Sequence, residues 1–333
     1  MKLLKPIKPR KQHKKVKPKS EKQYKVRNWK EYNQALVDRG KVTFWITEKA
    51  LEAWEEQQKT GKRGKPKLYS NVAIETAITL QQVFHLPLRQ VEGFLSSILT
   101  KMQSDRKAPD YSTLSVRGVT LDINIRVRPI KDEPLHLVVD STGAKVYGEG
   151  EWKVRQHGWG KHRTWKKLHI GIDQSNGDIL VGEVTGNEVS DAHAFGPLIN
   201  QIPVTTIIDQ VSTDGIYDKK ICYDKLAERG VLKVAIPPQK NARIHRHGNL
   251  NGPPLIRDQN IRRIREIGRS PWKKEIHFHR RSLSETGMFR LKTLFSDKVR
   301  NRNFAGQRVE LLLRCKALNL INTLGMPQSY VVA

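Results

Sequence analysis

Thiol chemistry is nearly absent: Cys222 and Cys315 are the two cysteines in 333 residues, far apart and outside any C-x-x-C pattern. That excludes a disulfide framework and a cysteine-built zinc site. Long apolar runs are missing too. No stretch approaches the roughly 18 residues that suggest a membrane helix. The opening MKLLKPIKPRK breaks into prolines and lysines before a signal-peptide core can form. A soluble, cytoplasmic, nucleoid-associated protein is the expectation. Acids are scarce as well, with 33 Asp and Glu against 61 Lys and Arg, a formal net charge of +28. Such an excess calls for a polyanion, because each neutralised phosphate releases counterions, and nucleic acid leads the candidates.

What is present divides the chain into three. Residues 1–30 hold thirteen Lys or Arg and a single acid, Glu21, with prolines scattered through them. This composition cannot pack and predicts a disordered basic arm. Residues 31–130 turn helical. VAIETAITLQQVF places Ile74, Ala77, Ile78 and Val83 at core-facing spacings, and LPLRQVEGFLSSIL does the same with Leu88, Val91, Leu95, Ile98 and Leu99. Pro87 suits a helix start, and Ser112 in APDYSTLSVRG offers an N-cap for a short third helix. Three such helices fit a helix-turn-helix DNA-binding module and fit a plain bundle equally.

From residue 131 to 333 the pattern becomes mixed. PLHLVVDST is an apolar strand ending in Asp140; WKKLHIGIDQSNGDILVGEVTG reads as two strands and a turn. A helix, the strand TTIIDQVS before Asp214, a helix closed by Gly230 and the strand VLKVAIPP follow. A basic, loop-rich insert spans about 237–275, then helices run from about Ser282 to Phe295 and from Phe304 to Leu324. The order β-β-β-α-β-α-β, loop, α describes an α/β domain with a mixed sheet.

Three acids draw attention. Asp140 and Asp214 each follow an apolar strand and precede small residues, Ser-Thr-Gly in one case and Gly in the other. Strand ends are where α/β sheets build sites, although either acid alone reads as a turn cap. Glu285 lies in HFHRRSLSETGMFRLK, a carboxylate among Arg280, Arg281, Arg290 and Lys292. Ser282-x-x-Glu285 fits a capping box. A helix that starts earlier would instead put Phe278, Arg281, Glu285 and Lys292 on one face. Sequence leaves both open. Together, the three carboxylates could bind two Mg²⁺ ions, with Mn²⁺ able to substitute, for in-line displacement at phosphorus. Arg281 and Lys292 would then hold DNA phosphate.

Other polar residues read more plainly. His245, His247, His277 and His279 form two H-x-H pairs without acids or cysteines at finger spacing, which fits phosphate contact or exposed loop better than zinc. Asp173 serves a turn, Asp191 sits near a helix N-cap, and Asp218 is expected on the surface. Trp152, Trp159 and Trp165 alternate with lysines and arginines and suit base stacking beside a DNA backbone; a hairpin packed by cross-strand tryptophans is the alternative.

At this point VVDSTGAKVYGEGEWKVRQHG, STDGIYD and FHRRSLSETGMFRLK together resemble the DDE transposases of bacterial insertion sequences. The resemblance is to the IS5 family and within it to the IS903-like branch. The last stretch is similar to the family's Y-x2-R-x3-E-x6-K signature, with Phe278 in the tyrosine's place and Arg281, Glu285 and Lys292 in register. The resemblance implies an RNase H-like catalytic domain with Asp140, Asp214 and Glu285 as catalytic, metal-binding acids. It also implies N-terminal helices that recognise terminal inverted repeats, cleavage at element ends and joining to target DNA, and at least a homodimer when two ends are synapsed. A regulator without catalysis and a simple RNase H-like nuclease are the alternatives.

Overall fold

The computed structural model describes residues 23–57, 66–146, 165–246 and 255–332. Residues 1–22 of the expected basic arm, Trp152, Trp159 and His247 lie outside these, whereas residues 23–30 of that arm are ordered, forming a short strand (Gln23–Val26) and the start of a helix (Trp29–Asp38).

Most elements follow directly from local sequence. After β1 (Gln23–Val26) come α1 (Trp29–Asp38), α2 (Val42–Trp45), α3 (Glu48–Glu52), α4 (Asn71–Val83), α5 (Leu88–Lys101) and α6 (Tyr111–Gly118). Ser70 caps α4 by accepting from the Ala73 amide, and Pro87 precedes α5. The cap of α6 is Asp110 rather than Ser112: its carboxylate accepts from the Ser112 and Thr113 amides, starting the helix two residues earlier. The apolar stripes of α4 and α5 are buried through Ile74, Ala77, Val91 and Leu95.

The sheet follows as β2 (Leu135–Val146), β3 (Trp165–Asp173), β4 (Ile179–Gly186), α7 (Asp191–Asn200), β5 (Ile208–Ser212), a 3₁₀ turn (Gly215–Tyr217), α8 (Lys220–Glu228) and β6 (Lys233–Ala235). This reproduces the expected β-β-β-α-β-α-β order. The insert is less loop-rich than its composition implied, because it contains α9 (Ile256–Ile267) and α10 (Arg269–Glu275). Asp258 explains the difference: it is fully buried and accepts from the His245 and Arg246 amides, tying the preceding loop onto the helix. A second 3₁₀ turn (Phe278–Arg281), α11 (Ser282–Phe295), β7 (Lys298–Val299), α12 (Phe304–Leu324) and β8 (Ser329–Val332) complete the described chain.

Strands run in the order β4-β3-β2-β5-β6, with β2 antiparallel to β3 and parallel to β5, so the sheet is mixed. Along its first half β2 pairs with β5, and at its far end, Lys145–Val146, with β7. The stretch between has β3 on one side and no ladder partner on the other. Asp140 lies in it. Contrary to expectation Asp140 does not end its strand, because β3 keeps pairing out to Lys145. It lies instead where the parallel neighbour stops.

Side chains alternate across β2 and sort into two cores. Leu137 and Val139 pack with Phe195, Leu198, Cys222 and Leu226 of α7 and α8. The other face, with Leu168 and Ile170 of β3, joins α11, α12 and the helices α4–α6 in one continuous cluster. The N-terminal helices thus share a core with the sheet. α12 runs through it and is buried on nearly every side. Two of its buried polar residues are well paired: Asn319 accepts from the Ile179 amide and donates to the Ile125 and Ile179 carbonyls. Glu310 meets Arg314 and accepts from the Arg300 and Asn301 amides. Unpaired, such groups would each cost several kcal/mol, roughly 3–5 for a broken buried ion pair.

Candidate active site

The break between β5 and β7 brings three elements to one place. Asp140 projects from β2 on the face opposite Leu137 and Val139, toward α11. Its Oδ1 accepts from the Ser141 amide at 2.9 Å, and its Oδ2 accepts from Ser284 Oγ and from Arg281 Nη1, each at 2.9 Å. Asp214 follows β5 and caps the 3₁₀ turn by accepting from the Ile216 amide at 2.9 Å. Burial raises its pKa, with the Asp140 charge adding and Arg281 opposing. Glu285 stands on the exposed side of α11 and is ion-paired with Arg281.

The two readings of Glu285 are now distinguishable. Ser282 is already helical, at φ −56° and ψ −16°, and the 3₁₀ turn Phe278–Arg281 runs straight into α11. No capping box forms. Glu285 turns back one helical turn to Arg281, whose Nη1 reaches Asp140 while Nη2 reaches Glu285. A single guanidinium therefore bridges two of the acids, and the third lies within its electrostatic reach.

The remaining signature residues are close by but otherwise engaged. The Phe278 ring lies 4.8 Å from Lys273 Nζ and 5.9 Å from Arg281 Cζ. Lys292 is exposed two turns beyond Glu285 and has no place in the carboxylate cluster. Among the described residues no three of His, Cys, Asp and Glu already converge as metal ligands. The donor set nonetheless fits a hard divalent cation, because its acids offer oxygen alone and a cationic group already stands between two of them.

Sequence reasoning missed a second carboxylate layer on the opposite face of β2. Ser190 caps α7, and the buried Asp191 that follows it turns into the sheet. There it accepts from Ser141 Oγ at 3.1 Å and meets Lys167 Nζ at 3.3 Å. His169 Nδ1 is 3.8 Å away, and burial lowers that imidazole's pKa. Tyr217 is buried beside this layer. Its pKa is raised by burial and by Asp191, Asp140 and Asp214. Asp191 thus holds the residue after Asp140, a link no local pattern announces. Ser284 escaped notice for the same reason: its hydroxyl matters only because a buried acceptor, 144 positions away in sequence, points at it.

Asp218 also departs from expectation. It is buried and held by Arg257 Nε at 2.7 Å, by Arg257 Nη2 at 3.1 Å, by Tyr223 Oη at 3.3 Å and by the Gln239 amide at 3.0 Å. This fixes α9 against the turn that carries Asp214. Trp165 heads β3, with Lys145 Nζ 5.5 Å from its ring centre. Asp173 serves the β3–β4 turn as expected, accepting from the Ser175 amide.

A family model described as a transposase DDE domain matches residues 131–320, more than half the chain, and a second of the same description matches residues 37–149. The chain belongs to the DDE transposase family. Membership in this family implies a metal-dependent transposase acting on DNA. The mixed α/β architecture is consistent with an RNase H-like DDE domain. The described helices are never long and apolar enough to cross a membrane.

Proposed function

We propose that this DDE transposase is of the IS5 family, IS903-like branch, and that it binds the terminal inverted repeats of its insertion sequence, cuts there and joins the freed ends to target DNA. Asp140, Asp214 and Glu285 are its catalytic acids and the ligands for two Mg²⁺ ions. The observation that carries this reading is the Arg281 guanidinium spanning Asp140 and Glu285 beside Asp214. On this reading the three acids, from a central strand, a strand-following turn and a helix, close around the ions when these bind.

When bound, the divalent ions supply Lewis-acid stabilisation to the attacking and leaving oxygens of an in-line phosphoryl displacement. The chain's own groups do the rest. Ser284 and the Ser141 amide fix the Asp140 carboxylate, so its position needs no reorganisation at the moment of reaction. The Asp218–Arg257 pair steadies the segment that follows Asp214. Lys292, and Arg281 once released, supply positive charge to the scissile phosphate and its neighbours. Helices α4–α6 are assigned to recognition of the repeats, and two ends held together call for a homodimer.

The test is strand cleavage and joining on DNA carrying the element's own ends, with Mg²⁺ or Mn²⁺. Glu285→Ala is the cleanest variant, because its side chain is 60% exposed and contributes little to the fold. It is expected to bind the ends and leave them uncut. Normal cutting by this variant would remove Glu285 from the site. A wild-type protein that binds the ends as an assembled dimer and never cuts would favour a DNA-binding regulator instead.

A further inference from the structure

We propose that Arg281 occupies the cation position between Asp140 and Glu285 until a divalent ion displaces it, and that the released guanidinium then becomes a contact to DNA phosphate. The inference rests on reading these acids as metal ligands and assigns the regulation of that site.

Position shows why displacement follows: the guanidinium stands between the two carboxylates, where an ion shared by them would sit. Asp140 Oδ2 accepts from both Ser284 and Arg281, which uses the two lone pairs of that oxygen. Oδ1 accepts one bond, from the Ser141 amide, and keeps a lone pair. A metal ion shared by Asp140 Oδ2 and Glu285 would take the place that the guanidinium holds. Ser284 cannot leave, being fully buried; its one hydroxyl proton is shared between Asp140 Oδ2 and the Arg281 carbonyl, 2.8 Å away. Arg281 can. Its side chain is 21% exposed, it hangs from the junction of the 3₁₀ turn and α11, and Glu285 beside it is open to solvent. With the guanidinium in place the Asp140–Glu285 pair carries one net negative charge, and without it two. The arginine thus keeps two like charges together in the metal-free protein and lowers their affinity for a competing cation. Once displaced it remains tethered one helical turn from Glu285, in reach of whatever anion the metal recruits. Metal loading and phosphate capture are linked through one side chain, and each favours the other.

Mn²⁺ binding to the full-length protein without DNA, followed by the electron paramagnetic resonance of free Mn²⁺, tests this directly. Arg281→Gln is expected to bind Mn²⁺ about fivefold more tightly than wild type, the factor that roughly 1 kcal/mol of competing ion pair represents. Arg281→Lys, which keeps the charge but not the two-pronged bridge, falls between them. Asp140→Asn serves as the control for the underlying reading. If it leaves Mn²⁺ binding unchanged, the acids are not the ligands and both statements fall. If it abolishes binding while Arg281→Gln binds no more tightly than wild type, the acids stand and the displacement idea alone is overturned. The phosphate half has its own readout, the salt dependence of binding to a DNA duplex. Mn²⁺ should steepen the wild-type slope by about one phosphate contact more than it steepens that of Arg281→Gln. Equal changes would overturn that half.

Discussion

Two arginine–aspartate pairs, Arg257 with Asp218 and Arg281 with Asp140, are built for opposite purposes. Arg257 and Asp218 are closed off: their side chains are 14% and 1% exposed, and the carboxylate is also held by Tyr223 and the Gln239 amide. Hydrogen bonding to Asp218 raises the Arg257 pKa, opposed by burial. Arg281 and Asp140 are more open, and the arginine is shared with a solvent-facing glutamate. A buried pair with every lone pair filled holds one conformation, whereas a cation shared between two acids can be exchanged. The protein thus places a fixed pair beside an exchangeable one, four residues from Asp214 in sequence.

The largest effect that could break this contrast is on stability. Arg257→Gln should cost about 3–5 kcal/mol in urea unfolding, because it strands the Asp218 carboxylate in the interior, and added Mn²⁺ should not restore it. A loss below about 1 kcal/mol would make the two pairs alike. Asp214 gives a smaller, pH-dependent effect. Its folded-state pKa is raised above the ordinary 3.8, so the ionised form costs stability. That cost is absent below 3.8, sets in as pH rises, and is complete above the folded-state value. Asp214→Asn in metal-free buffer should therefore raise the melting temperature near pH 7 and leave it unchanged near pH 3, as checked by calorimetry. The opposite sign would mean that the carboxylate is favourably paired. Smallest of all is Glu285→Gln, whose exposed i,i+4 pair should change stability by no more than about 0.5 kcal/mol.

How far the sequence could be read follows the range of the interactions. Periodicity places α4, α5, α11 and α12 because a helix buries or exposes its own i, i+3 and i+4 neighbours. The order of elements follows from the alternation of strand and helix patterns, whereas the spacing of Phe278, Arg281, Glu285 and Lys292 left helix face and capping box open, and only the 3₁₀ turn running into α11 separates the two. The links made by Asp191 and Ser284 were not legible, since each acts on a residue distant in sequence and neither breaks a local pattern. Asp218 was misplaced because a charged residue defaults to the surface, and only the folded chain brings Arg257 to it. The helices of the insert were hidden by basic composition. They are kept in place by Asp258, a single buried acid that receives two amides from the preceding loop.

The pairing of β1 with β8 has a consequence for how this chain folds. Residues 23–26 lie antiparallel to 329–332, so four residues from each end of the described chain close nearly all of it into a loop. Bringing ends roughly 300 residues apart together costs about 5 kcal/mol of chain entropy, more than an isolated two-stranded ladder returns in water. The ladder must therefore wait for the sheet and α12 to set its ends side by side. It is a clasp that shuts last, and its amides should be among the final ones to gain protection from hydrogen exchange during refolding.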